Sequence, residues 1–247
     1  MPNLYIIAGC DGAGKTTAAR TILPEMLNCT EFVNTGSILA GLPPAYPEHG
    51  FIESGRIALN RIKLLLKRGE DFAIETTLAG KCHAGLIKKA QSSGYKVLLI
   101  FIWLNTPEYA IQRVANRVSN GGHNVPDVVI KRRFERGRYN LHSLYIPICD
   151  FYTIITTDTG EPEQVKTREA GQVTKAVDSS GLLVNTKTKL TPENILLRDK
   201  ILKGATKAYR KLLTTSIENN RKLVIADEDG NIQHLSAIEL QKKLSEK

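Results

Sequence analysis

Gly9-Cys10-Asp11-Gly12-Ala13-Gly14-Lys15-Thr16 fits the spacing G-x-x-x-x-G-K-[ST] without a gap. Glycines at these places let the backbone wrap closely, so that its N–H groups point inward at phosphate oxygens. Lys15 sets a positive charge on the β- and γ-phosphates, and the Thr16 hydroxyl can join the shell of a Mg²⁺ ion. A β-rich run, Leu4–Ala8, leads in, and a helix-like stretch follows from about Gly14 to Leu27. That helix directs its positive end at the anion. The whole run Gly9–Thr17, with Cys10, Asp11, Ala13 and Thr17 between and beside the motif residues, is therefore the candidate nucleotide-binding segment for ATP or GTP with Mg²⁺. The motif does not say what is done with the phosphate, since motors, switches, nucleic-acid enzymes and small-molecule kinases all use it.

A second group stands at Ala73-Ile74-Glu75-Thr76-Thr77, just past another apolar run. In an open α/β sheet the carboxyl ends of strands form the site. Glu75 there can hold Mg²⁺ through water or bind a substrate hydroxyl; its plainer roles are to cap the next helix or pair with a surface lysine. Thr77 can donate to a phosphate or a sugar. Arg113 and Arg117 lie four apart on one helix face. His123 follows in a Gly-Gly loop, then Lys131, Arg132, Arg133, Arg136 and Arg138. Most of that run reads as a solvated basic face. One or two arginines from 113 onward are expected to reach the nucleotide and stabilise transferring charge, Arg117 first.

These groups need elements that aim strand ends and helix starts at one point. Runs at 4–8, 72–75, 97–104 and 151–156 read as strands, with a short one at 31–34. Helices are expected over 52–67, 81–92, 107–119 and 127–145. Strand alternating with helix argues for an α/β fold, a mostly parallel sheet covered on both faces. From 158 to 190 the chain is polar and reads as an irregular or hairpin extension, with β-like pieces at 172–177 and 182–185. Thr191-Pro-Glu-Asn opens a long helix to about 219, a hairpin follows around Asp229-Gly230, and a short helix ends the chain.

The 247 residues suit one domain plus an appendage, at roughly 150 residues per domain. With 42% hydrophobic and 24% charged residues the chain is not mainly disordered. A net charge of +9 favours anionic partners. The basic stretches lack interleaved aromatics, so a nucleic-acid partner is not expected. Cys10, Cys29, Cys82 and Cys149 form no Cys-x-x-Cys pair, which argues against a disulfide scaffold or zinc ribbon and fits a reducing cytoplasm. The first residues read as neither signal peptide nor membrane span, and 97–104 is too short to cross a bilayer.

The chain resembles the zeta toxin family, in its predicted-ATPase branch. The likeness is carried by Gly9–Thr17, Glu31-Phe-Val-Asn34, Gly41-Leu-Pro-Pro-Ala-Tyr-Pro-Glu48, Ser54-Gly-Arg56, Phe72–Leu78, Gly94-Tyr95, Phe101-Ile-Trp-Leu104, Arg113–Val118, Gly121–Pro126 and Arg132–Gly137. The resemblance covers about residues 3–157. It implies a P-loop kinase fold and ATP-dependent phosphorylation of a nucleotide-sugar hydroxyl, with UDP-N-acetylglucosamine as the family's substrate, in a toxin that an antitoxin blocks. By the same resemblance Lys15 and Thr16 bind ATP–Mg²⁺, Glu75 and Thr77 bind substrate, and Arg117 serves the phosphates, with Arg113 one turn away as the alternative. Relatives carry an aspartate, placed to take the substrate's proton, where this chain has Gly36. Losing a general base typically costs about 10²–10⁴ in rate. Two readings stay open, a working kinase and a nucleotide-binding member with impaired catalysis. The expected organisation is a kinase core at 1–157, the extension at 158–190, and a helix–hairpin unit at 191–247 that acts as a regulatory or antitoxin-like module, or as a plain structural arm.

Overall fold

The computed structural model describes residues 1–43, 47–169, 190–227 and 230–245. Its main sheet has six strands: β1 (Asn3–Gly9), β2 (Glu31–Val33), β3 (Phe72–Thr76), β4 (Lys96–Trp103), β5 (Phe151–Thr156) and β6 (Glu163–Glu169). Their order is β2-β3-β1-β4-β5-β6, the first five parallel and β6 antiparallel to β5. From β1 the chain goes to the edge strand β2, returns to β3 between the two, and then crosses to β4 on the other side of β1. The crevice of an open α/β sheet lies at such a reversal, outside the carboxyl ends of the strands.

Alternation divides the core in two. Tyr5, Ile7, Leu98, Ile100 and Ile155 face one side, and Leu4, Ile6, Leu99, Phe101 and Ile154 the other. The central strands are buried on both faces, which is why they read as continuous apolar runs. Helices α1 (Lys15–Thr21), α5 (Pro107–Ser119) and α6 (Asp127–Asn140) cover the first face. The second is covered by α3 (Pro47–Arg68), α4 (Cys82–Ser92) and the turns at 141–148.

Three elements differ from the sequence expectation. The first helix stops at Thr21 and widens into a π turn, Ile22–Met26, because Pro24 has no N–H to continue the ladder. A six-residue helix, α2 (Thr35–Ala40), follows β2, capped by Asn34, whose Oδ1 accepts from the Ser37 N–H at 3.0 Å. Strand β6 falls in the extension read as irregular or hairpin, and it turns back antiparallel on β5; its polar sequence, Glu-Gln-Val-Lys-Thr-Arg-Glu, suits an edge strand and shows no apolar alternation. The β-like pieces expected at 172–177 and 182–185 lie outside the described residues.

The tail comprises α7 (Pro192–Glu218), a hairpin of β7 (Lys222–Ala226) and β8 (Ile232–Ser236), and α8 (Ala237–Ser245). It has a small core of its own, with Tyr209, Leu213, Ile225, Ala237 and Leu240. Ile201, Ala205, Val224 and Ala226, however, belong to the first-face core of the main sheet. At Gly204 the two parts approach so closely that a Cβ would stand 2.7 Å from Met26 Cγ and 3.2 Å from Ile22 Cα. Glu25 on the π turn pairs with Lys207 and Lys211 of α7, each at 2.5 Å.

Candidate functional site

Gly9 ends β1 and begins the phosphate loop. Gly9 and Gly12 have φ of +147° and +80°, and a Cβ at either would stand 2.5 Å from the Ile102 carbonyl oxygen or 2.8 Å from that of Ala110. Neither position accepts a side chain, so the loop lies hard against β4 and α5. Lys15 is almost wholly buried, and its ammonium donates to the Cys10 carbonyl at 2.8 Å. Burial pushes the Cys10 thiol up to about 12, against the opposite pull of Lys15, so it stays protonated and is no nucleophile.

Register brings the second group to the loop. Glu75 of β3 lies opposite Ile7 of β1. Its Oε2 accepts from the Thr16 hydroxyl at 2.7 Å and from Asn34 Nδ2 at 2.6 Å, while Oε1 lies 4.0 Å from Lys15 Nζ. Asn34 thus uses one end of its amide to start α2 and the other to hold Glu75. The sequence reading named Asn34 only as part of a matching stretch; the signal available was its N-cap placement before Thr-Gly-Ser. Gly36 is the second residue of α2 and exposed, and a Cβ there would stand 3.2 Å from Asn34 Oδ1. Thr77 lines a small cavity with Cys10, Arg133 and Arg138, and its hydroxyl accepts from the Ala79 N–H at 3.4 Å.

The arginines take distinct places. Arg113 packs against the loop, its Cβ 3.3 Å from where a Gly12 Cβ would stand. Its guanidinium donates to Thr157 Oγ1 at 2.9 Å and lies 5.3 Å from the Tyr109 ring centre. Arg117 is exposed and donates to the His123 carbonyl at 2.6 Å, holding the loop at 120–126. One helical turn, about 5.4 Å of rise, separates these two positions. From α6, Arg133 reaches the loop itself, with Nη1 3.3 and 3.4 Å from the Asp11 carboxylate oxygens. Arg138 instead covers the Trp103 ring at 3.8 Å, and Lys131 pairs with Glu108 at 3.1 Å. Nothing in the sequence separated Arg133 from its neighbours, because that depends on how α6 is rotated against α5.

A hydroxyl and a carboxylate at hydrogen-bond distance, beside a phosphate-binding loop, are hard oxygen donors that fit Mg²⁺, which takes one or two protein ligands and completes its shell with phosphates and water. Among the described residues no cluster of three or more His, Cys, Asp or Glu could hold a metal by itself. No helix among them is long and apolar enough to cross a membrane.

The strand order and the loop after β1 give the chain a P-loop kinase fold. Residues 45–154 match the zeta toxin family model, which begins beyond the phosphate loop. Residues 191–246 match a second model, a domain of unknown function (DUF8506). A protein of Haemophilus influenzae, described as uncharacterized, is 28% identical over 126 residues, which is 51% of this chain and 88% of that one. Among solved structures, the PezAT toxin–antitoxin system of Streptococcus pneumoniae aligns at a TM-score of 0.56 with 17% identity, over 86% of this chain and 88% of that one. The AvrRxo1-ORF1:AvrRxo1-ORF2 structure with sulphate ions aligns at 0.58 with 18% identity, over 85% and 80%. The same pair with ATP aligns at 0.55 with 17% identity, over 85% and 80%. At these identities the likeness is one of fold.

Proposed function

We propose that this chain transfers the γ-phosphoryl group of ATP to a hydroxyl of a nucleotide sugar such as UDP-N-acetylglucosamine. The observation that carries the reading is the Glu75 carboxylate, fixed by Thr16 and Asn34 beside the Lys15 ammonium. This arrangement holds a phosphate-binding cation, a metal-suited hydroxyl and an acid within one small space. Mg²⁺ bound at Thr16 would neutralise phosphate charge. Lys15 and the loop N–H groups would hold the β- and γ-phosphates. The acceptor oxygen would bond to the γ-phosphorus as the bond to the β–γ bridging oxygen breaks, releasing ADP. Oε2 of Glu75 already accepts two hydrogen bonds, which leaves Oε1 to receive the hydroxyl's proton. Arg133, which reaches Asp11 of the loop, and Arg113, packed against Gly12, would serve the phosphates, with Arg117 one turn further along α5.

A second reading is favoured by Gly36, exposed at the start of α2 with no side chain to act as base. In that reading the chain binds nucleotide and turns over weakly, within a toxin–antitoxin pair of the kind named for the PezAT structure. Mass spectrometry after incubation with Mg–ATP and UDP-N-acetylglucosamine separates the two. Product from the unaltered chain, absent with Lys15→Ala, supports the kinase. Product only from Gly36→Asp supports the second reading. No product from either, across a panel of nucleotide sugars, overturns the substrate class.

A further inference from the structure

Val33, the last residue of β2, lies opposite Ile74 of β3, which sets Asn34 beside Glu75. Asn34 is only 8% exposed, and a buried amide needs partners at both ends. Its Oδ1 accepts from the Ser37 N–H at 3.0 Å and caps α2. The other end is then the donor. Nδ2 donates to Glu75 Oε2 at 2.6 Å and stands 3.4 Å from Thr16 Oγ1. An oxygen in its place would set two acceptors against each other at 2.6 Å. An N-cap alone is served about equally well by Asp or Ser. Asparagine at this position does what neither of those does: it starts the helix with its oxygen and grips the acid with its nitrogen.

We infer that Asn34 is a positioning residue: it holds Oε2 of Glu75 so that Oε1 stays free for the acceptor hydroxyl, and so fixes one acid where Gly36 offers none. The inference rests on the proposed reading of Glu75 as the group that receives the acceptor's proton. In that step the acceptor oxygen bonds to the γ-phosphorus, the β–γ bridging oxygen leaves with ADP, and the proton passes to Oε1. A glutamate side chain has three rotatable bonds and needs holding if one oxygen is to stay aimed. Lys15 Nζ, 4.0 Å from Oε1, is beyond hydrogen-bond distance and does not hold it. Thr16 and Asn34 do, both at Oε2. Thr16 belongs to the phosphate loop and answers to what that loop binds. Asn34 belongs to the junction of β2 and α2, so its grip on the acid is independent of the loop. The same amide begins the helix whose second residue is Gly36. One side chain thereby ties the acid of β3 to the helix on the acceptor side.

Asn34→Asp and Asn34→Ser in the full chain test this. Both keep a capping oxygen for the Ser37 N–H, so their melting midpoints should match the parent. Ionised Asp has no proton to donate, and Ser is too short to reach Glu75 while it caps α2. In steady-state assays with Mg–ATP and UDP-N-acetylglucosamine, kcat is expected to fall by about 10–100-fold, the cost of misplacing a reacting group by about 1 Å, with KM for ATP unchanged. In a Gly36→Asp background the loss should shrink, because a carboxylate on α2 then takes the proton. An unchanged kcat, a loss equal in both backgrounds, or a loss that appears as a raised KM for ATP would overturn the inference while the kinase reading stands. Product from Gly36→Asp alone overturns it too, since Glu75 then takes no proton. If neither the unaltered chain nor Gly36→Asp forms product, the proposed transfer falls instead, and crystal structures of the unaltered chain and of Asn34→Ser decide the role of Asn34. A Glu75 carboxylate in the same place in both overturns the inference; one that leaves Thr16 only in the variant upholds it.

Discussion

Gly36 and Asp158 are two positions where a single substitution has a readable outcome. At Gly36 a new Cβ meets only the side-chain oxygen of Asn34, at 3.2 Å, so the site admits an aspartate with a shift of a few tenths of an ångström. If Gly36→Asp restores a base, turnover should rise by up to about 10²–10⁴, with KM for ATP unchanged; steady-state kinetics on the acceptor would read this. Asp158 is 3% exposed, and its carboxylate oxygens have no hydrogen-bond partner. Burial raises its pKa above the usual carboxylate range. The folded chain therefore holds that proton more tightly than the unfolded one. Stability from this residue is present in acid and is lost as pH rises from the unfolded value through the raised folded value. Asp158→Asn should be more stable than the parent near neutral pH, with the gap closing towards acid. A gap that widens in acid would sink the assignment. Among the candidate site residues, Lys15, Thr16 and the loop glycines could be proposed from spacing alone, because the motif is local. Asn34 and Arg133 could not, because their roles are set by partners in distant elements, Glu75 at 41 residues and Asp11 at 122 residues away.

Elements explain why some of the fold could be read and some could not. Strands β1, β4 and β5 are covered on both faces and announce themselves as apolar runs. β6 is a polar edge strand paired on one side, and α2 spans six residues, too short for a helical period to emerge. The break after α1 was signalled by Pro24, yet a proline predicts a disruption without saying that the turn widens. Glycines in helices show the same dependence on context. Gly55 of α3 has open space where a Cβ would go, so Gly55→Ala should stabilise by up to about 1 kcal/mol. Gly204 of α7 faces Met26 and the Ile22 backbone, so Gly204→Val should destabilise by about 1–3 kcal/mol. Denaturant melts of the two variants should shift in opposite directions; shifts of the same sign would mean that the contact between α7 and the π turn is not close-packed.

On the scale of the whole molecule, residues 191–245 come late in the sequence and are packed into the main core. Ile201, Ala205, Val224 and Ala226 share one apolar cluster with Ile22, Leu23 and the sheet. The hairpin adds backbone contacts: the Ala226 N–H donates to the Asp158 carbonyl at 2.8 Å, and the Tyr109 hydroxyl donates to that of Val224 at 3.0 Å. A shared core of this kind predicts a single cooperative unfolding transition, with calorimetric and van't Hoff enthalpies equal. Two resolved transitions would show that the tail stands alone. Raising the salt should move the midpoint little, since the Glu25 pairs with Lys207 and Lys211 are part-exposed. The same arrangement bears on synthesis. Ile22 leaves the ribosome long before Ile201, and at roughly 5–20 residues per second the interval is on the order of 10–35 s. Through that time the outer face of the first helix, which Ile201 and Ala205 later cover, has no partner. A chain interrupted before α7 would hold every residue of the phosphate motif on a helix whose apolar outer face still meets water, so the earliest motif in the sequence waits for one of the latest helices to reach its final packing.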